Sequence, residues 1–315
     1  MKTNLLAALF LISPLLYGQT DSLYCTPDDR EVFNHYLAFM EEKDSLPFDS
    51  LLLETATFFL GTPYVGATLE QEPEGLVANL RELDCFTFVE NVIALARTLA
   101  EGDATFEKYL NQLRNIRYRN GIITGYVDRL HYTSDWLYEN DRKQILAYTR
   151  SDALGIPHRF QLDFMSSHPD SYRQLKADTS LIASIREAEQ QINSRTDYYY
   201  LIPKQEIDSF ALHINNGDVV GFATAIPGLD ISHVGIITRQ GETLTFIHAS
   251  STAKEVIVHK ESLKAYVEGG KNCIGILTAK PLRPIPAPED TTFPLLLPSD
   301  TTNQNNSKAN LIPTP

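Results

Sequence analysis

Helical periodicity fills the first third of this 315-residue chain and strand patterning marks its last third, and that order limits the fold more than any other feature. The strongest helical signal is LDCFTFVENVIALARTLA, residues 83–100, where Phe88, Val92, Leu95, Ala96 and Leu99 fall on one face. Asp84 before it is a good N-cap, which puts Cys85 in the first turn. Further helices are expected over 28–42, over 49–60 (after Pro47, ending at Gly61), over about 104–116 and over 179–193. From residue 217 the runs GDVVGFA (217–223), HVGIIT (233–238), TLTFIH (243–248) and EVIVH (255–259) read as short strands, with a hairpin at Gln240-Gly241. Helices first and an antiparallel sheet later define an α+β fold.

The ends of the chain read differently. Residues 1–18 carry Lys2, an apolar run from Leu5 to Leu16, and Gly18, the pattern of a secretory signal peptide rather than a retained anchor. No second long apolar run follows, so a soluble, exported protein without stable membrane insertion is expected, periplasmic or extracellular. The segment 283–315 is rich in Pro, Thr, Asn and Ser and is expected to be disordered. Between them lie a helical segment, 19–60, and a catalytic domain, 61–282, with an aromatic, polar insertion at about 117–200. A formal net charge of −13, without a Lys/Arg cluster, excludes a nucleic-acid binder.

Three cysteines leave at least one thiol unpaired. Cys25 and Cys273 are within reason a disulfide pair joining the two ends of the fold, and Cys85 is then the free thiol. At a helix start, free N–H groups and the macrodipole favour a thiolate, which is nucleophilic at neutral pH. Its base would come from the sheet. His233 begins one strand and His248 ends the next, so a hairpin can bring both to one face. Cysteine, histidine and a polar orienter form the papain-type arrangement, in which His233 takes the thiol proton and His248 fixes its tautomer. A rival reading makes Cys85, His233 and His248 three ligands of a zinc ion, but no close Cys-x-x-Cys or His-x-x-x-His pair supports it.

The order GTPYVGA (61–67), LDCFTFVEN (83–91), GLDISHVGII (228–237) and FIHAS (246–250) resembles the NlpC-type papain-like cell-wall cysteine hydrolases. The resemblance implies a papain-like fold, with the nucleophile helix packed on the C-terminal sheet. It implies Cys85 as nucleophile, His233 as base and His248 as orienter, with Tyr64 and Asp84 in the substrate pocket. The commoner endopeptidases of that superfamily have Ser after the cysteine, where this chain has Phe86. Together with HYTSDW (131–136), YYYLIP (198–203) and the GLD that contains Asp230, this is similar to the N-acetylmuramoyl-L-alanine amidase-like branch. That branch implies hydrolysis of the bond between the muramic acid lactyl group and L-alanine in peptidoglycan fragments, preferably anhydro forms, by a monomer needing no metal or organic cofactor. Two alternatives stand beside it: a γ-D-Glu-diaminopimelate endopeptidase and an inactive peptidoglycan-binding module. Flat rings at Trp136, Tyr132 and the tyrosines 198–200, Tyr200 foremost, and acceptors at Asp135 and Asp128 offer a sugar-binding surface, and Phe86 and Asp230 are further substrate-binding candidates.

Overall fold

The computed structural model describes residues 22–151 and 154–285, and the residues up to Pro284 belong to one compact unit. The signal-peptide reading of 1–18 and the tail beyond residue 285 lie outside the described residues. The strands are β1 (Ser22–Tyr24), β2 (Gly75–Val77), β3 (Leu146–Tyr148), β4 (Ile156–His158), β5 (Tyr199–Pro203), β6 (Val219–Thr224), β7 (Ile231–Gln240), β8 (Thr243–Ser250), β9 (Glu255–Val258) and β10 (Cys273–Pro281). The helices are α1 (Pro27–Phe39), α2 (Phe48–Phe58), α3 (Cys85–Ala100), α4 (Phe106–Arg117), α5 (Thr133–Arg142), α6 (Phe164–Ser167), α7 (Arg173–Ala177), α8 (Leu181–Asn193), α9 (Ile207–Phe210) and α10 (Leu263–Gly269).

The architecture is α+β. Its main sheet runs β4-β5-β10-β6-β7-β8-β9 with antiparallel neighbours, and β3 also pairs with β10. The hairpin at Gln240 forms as the sequence predicts: Gln240 pairs with Thr243 across a two-residue turn, and Gly241 takes the positive φ of 62° that such turns require. The expected helices 28–42, 49–60 and 104–116 appear as α1, α2 and α4, each a residue or more shorter at its C-terminal end or shifted at its start.

One face of the sheet packs on α3, and there α1 and α2 share a single core with α3 and the sheet through Phe33, Tyr36, Leu51, Phe88, Val234 and Ile247. The opposite face makes a second core with α9 and α10, through Ile207, Phe222, Phe246, Leu263, Val267 and Ile276. These two cores separate Cys25 from Cys273. Cys25 packs with the first and Cys273 with the second, and all three cysteines are free. The expected Cys25–Cys273 bridge is therefore not formed.

Candidate active site

Asp84 has an extended backbone and caps α3. Its Oδ1 accepts from the Phe86 N–H (3.1 Å) and the Thr87 N–H (2.8 Å), while the Asp84 N–H donates to Thr87 Oγ1 (2.9 Å). This closed capping box fixes Cys85 as the first helical residue. The Pro-Tyr-Val segment just before it in space acts as a strap. Leu83 N–H donates to Pro63 O (3.0 Å) and Val65 N–H to Leu83 O (3.2 Å). On its other side the strap pairs with β9: Gly61 N–H donates to Val256 O and Tyr64 N–H to Lys254 O. One short strip of backbone thus ties the start of α3 to the sheet edge.

On the sheet, the β7–β8 register places Gly235 opposite His248, since Ile236 pairs with Ile247. A Cβ on Gly235 would lie 2.8 Å from Ile247 O and 3.3 Å from His248 Cβ, so the close approach needs glycine. The result is a hydrogen bond of 2.7 Å between His233 Nε2 and His248 Nδ1. His233 also stacks on Phe222, its cross-strand partner. The Val234 N–H hydrogen-bonds the Cys85 sulfur, so the thiol lies against β7 one residue beyond His233. The structure thus pairs His233 with His248 and sets the Cys85 sulfur against the strand that carries His233, while Nε2 of His233 is taken up by His248.

The electrostatics of this group depart from the sequence expectation of a thiolate. Burial pushes the Cys85 thiol up to about 12, and the Asp84 carboxylate adds to it; the N–H groups of Val234, Cys85 and Phe86 pull the other way and lose. Burial, then the neighbouring His259, pushes His233 down to about 4. His248 falls to about 3 through burial, then His233 and His259. Both the thiol and the imidazole are therefore neutral at rest, because the cost of burying charge exceeds what a helix start returns. Such an imidazole is free to take a proton at neutral pH.

Two clefts of about 700 and 430 Å³ open beside His233, and both are lined by Ser232, His259, Glu261 and Tyr266. Burial and then the Cys85 thiol raise both the Tyr64 and the Tyr266 hydroxyls, which marks them as its aromatic neighbours. Tyr64 and Asp84 thus stand beside Cys85, but neither lines the two clefts. Tyr266 and His259 escaped the sequence reading, because each is a single residue without a motif around it. A third cleft, about 450 Å³ between Phe48 and Arg283, lies apart from these histidines.

The expected sugar-binding surface is not assembled. Trp136 is 1% exposed and meets Phe86 edge to face at 5.4 Å between centroids, so it offers no ring face to a ligand. Tyr132 is buried, donating to Glu189 Oε1 (2.7 Å) and accepting from the Met165 N–H. Asp135 is paired to Arg119 and Arg195. Buried Asp230 accepts from the N–H groups of Ser134 (2.6 Å) and Ile231 (2.7 Å). Asp128 closes its own loop onto Thr124 and Gly125. Tyr200 is half-buried in the β4–β5 pair. These residues instead brace the site: α5 holds Phe86 through Trp136, and the start of β7 through Ser134 and Asp230. Among the described residues no group of three or more His, Cys, Asp or Glu that could hold a metal ion occurs.

Residues 54–276 match the profile of a family described as N-acetylmuramoyl-L-alanine amidase-like. The chain is 32% identical to an N-acetylmuramoyl-L-alanine amidase of Bacteroides uniformis, covering 75% of this chain and 99% of that one, with a TM-score of 0.71. It is 33% identical to a Bacteroides fragilis protein described as a candidate xylanase, covering 72% and 99%, with a TM-score of 0.68. A Legionella pneumophila protein, 20% identical over 82% of this chain and 95% of its own, shares the fold with a TM-score of 0.61. No curated protein matches the chain.

Proposed function

The chain belongs to the N-acetylmuramoyl-L-alanine amidase-like family, and we propose that it is a cysteine amidase cleaving the bond between the lactyl group of N-acetylmuramic acid and L-alanine in peptidoglycan fragments. The observation that carries this reading is the pairing of His233 with His248 at 2.7 Å on the strand whose next residue, Val234, bonds the Cys85 sulfur through its N–H.

The chemistry is acyl transfer in two halves. Substrate binding brings the lactyl carbonyl to Cys85; as the sulfur attacks, Nδ1 of His233 takes the thiol proton and Nε2 stays bonded to His248. His233 then gives that proton to the departing L-alanine nitrogen, leaving a thioester on Cys85. A water molecule, deprotonated by the same imidazole, attacks the thioester and releases the muramic acid carboxyl group. The backbone N–H of Cys85 at the start of α3 is a donor for the oxyanion. Phe86 favours the amidase over the endopeptidase. It packs on Trp136 and has no oxygen with which to hold a free L-alanine amine. A glycosidase reading is disfavoured, since that chemistry uses two carboxyl groups across the scissile bond, whereas Glu261 is the one carboxyl among the described residues lining the two clefts.

An exported, monomeric enzyme acting on anhydro-muramic-acid fragments is the form of this activity that the sequence supports. The test is a mass-spectrometric digest of a defined anhydro-muropeptide. Release of an intact stem peptide by the wild type, and none by Cys85→Ala, supports it. Release of an L-Ala-γ-D-Glu dipeptide makes the protein an endopeptidase, and binding without cleavage makes it a binding module. Inactivation by a thiol alkylator but not by a chelator separates cysteine from metal chemistry.

A further inference from the structure

We propose that His259, which follows β9, is a positioning residue that sets the tautomers of the His233–His248 pair. A single proton is shared in their 2.7 Å contact. For His233 to accept a proton at Nδ1, its own proton must be on Nε2, donated to Nδ1 of His248. His248 is then protonated at Nε2, which needs an acceptor. That nitrogen is buried and has no partner, and neither ring nitrogen of His259 has one. The His259 ring lies 5.4 Å from the His248 ring, centroid to centroid, at 61°. A buried donor and a buried acceptor left open side by side call for each other, directly after a small ring rotation or through one water.

The backbone of His259 is already fixed for this task. Its N–H donates to Phe246 O (2.8 Å), its carbonyl accepts from Thr245 Oγ1 (2.9 Å), and its ring stacks on Phe246 at 18°. The groups facing it are His248 from β8, His233 from β7 and Tyr266 from α10, with Lys260 and Glu261 on its own segment. Burial lowers His259, so it is an uncharged acceptor at neutral pH. Without it, the alternative pair, with His248 donating to Nε2 of His233, places the His233 proton on Nδ1, where it blocks transfer from Cys85.

Two variants separate the nitrogen from the ring. His259→Phe keeps the stack on Phe246 and removes the acceptor; His259→Gln restores an acceptor. The readouts are the pH profile of Cys85 alkylation by iodoacetamide and kcat and KM on the anhydro-muropeptide. The expected result for His259→Phe is a kcat roughly tenfold lower, KM unchanged, and an alkylation midpoint moved to higher pH; His259→Gln recovers both. A Phe variant with wild-type kcat and alkylation profile, or Phe and Gln variants altered alike, overturns the proposal. In the wild type itself, nitrogen-15 imidazole spectra report the tautomers without mutation: protons on Nε2 of both His233 and His248 are expected, and a proton on Nδ1 of His233 overturns it. Only the turnover readout rests on the amidase reading. If the wild type leaves the muropeptide intact while the alkylation profile and spectra behave as stated, the substrate assignment fails and the role of His259 stands.

Discussion

At the scale of single residues, the site is set by what is missing as much as by what is present. Gly235 allows β8 to approach β7 closely enough for His248 to reach His233. In Gly235→Ala, the new Cβ would meet Ile247 O and a Phe246 ring carbon within 3 Å, mostly backbone and packed core that cannot yield. The strands must spread, at a cost of about 1–3 kcal/mol. Urea unfolding should show that loss, and kcat should fall further than stability alone explains. Asp84 is a second such position, where one carboxylate both caps α3 and raises the thiol. Asp84→Asn keeps an oxygen for the Phe86 and Thr87 N–H groups but removes the charge. Because that charge favours the protonated thiol, the alkylation midpoint of Cys85 should move to lower pH while the melting temperature stays nearly level. A midpoint that moves up, or stays, refutes the electrostatic assignment. The helix start at Cys85 and the pairing of His233 with His248 were legible in the sequence because each stands at the edge of a clear helical or strand-like run. Trp136 was not, since an aromatic residue in an unassigned segment looks the same whether it faces a ligand or a core.

At the scale of elements, α5 is a brace between the two halves of the catalytic array. Its inner residues Trp136, Leu137 and Asn140 are buried at helical spacing, and its first turn bonds to Asp230 three residues before His233. Removing that carboxylate strands the N–H groups of Ser134 and Ile231 inside the protein. Asp230→Ala should therefore cost about 3 kcal/mol, two hydrogen bonds to a charged acceptor, and should lower kcat by loosening the start of β7. Differential scanning calorimetry and initial rates check the two effects; stability lost without any change in kcat would mean that α5 supports the fold but not the base. The strand β10 shows why elements were only partly legible. It lies in mid-sheet, with Ile276 in one core and Leu277 in the other, and pairs with β3, β5 and β6. Like β7 and β8 it is covered on both faces and carries no polar alternation, and it lacks the hairpin turn that marks those two. Its place between β5 and β6 is set by packing between distant segments, which no local pattern records.

At the scale of the whole molecule, the buried histidines tie stability to pH. Burial pushes His131 down to about 3, with Arg129 and then Arg119 assisting, and His233 and His248 are lowered as well. An unfolded histidine takes up its proton near pH 6.5. Between that value and the folded one, the unfolded chain binds more protons than the native chain, so stability is fully present above about pH 6.5 and falls as the pH drops. Buried carboxyl groups act in the opposite sense. Burial raises Asp218 to about 6, so the native state gains protons there first and is favoured by acid. The opposing contributions blur any single melting curve, but a difference between two proteins isolates one group. His131 Nε2 contacts Tyr126 O at 2.8 Å, in the insertion and away from the catalytic histidines. His131→Gln keeps a donor for that carbonyl and cannot take a charge. The melting temperature of the wild type minus that of the variant should therefore be largest above pH 7 and shrink steadily toward pH 4.5, with the sign reversing if the glutamine fits the site well. A difference that is flat with pH would mean that His131 titrates in the native state as it does in the unfolded chain, and that burial, Arg129 and Arg119 do not hold it neutral.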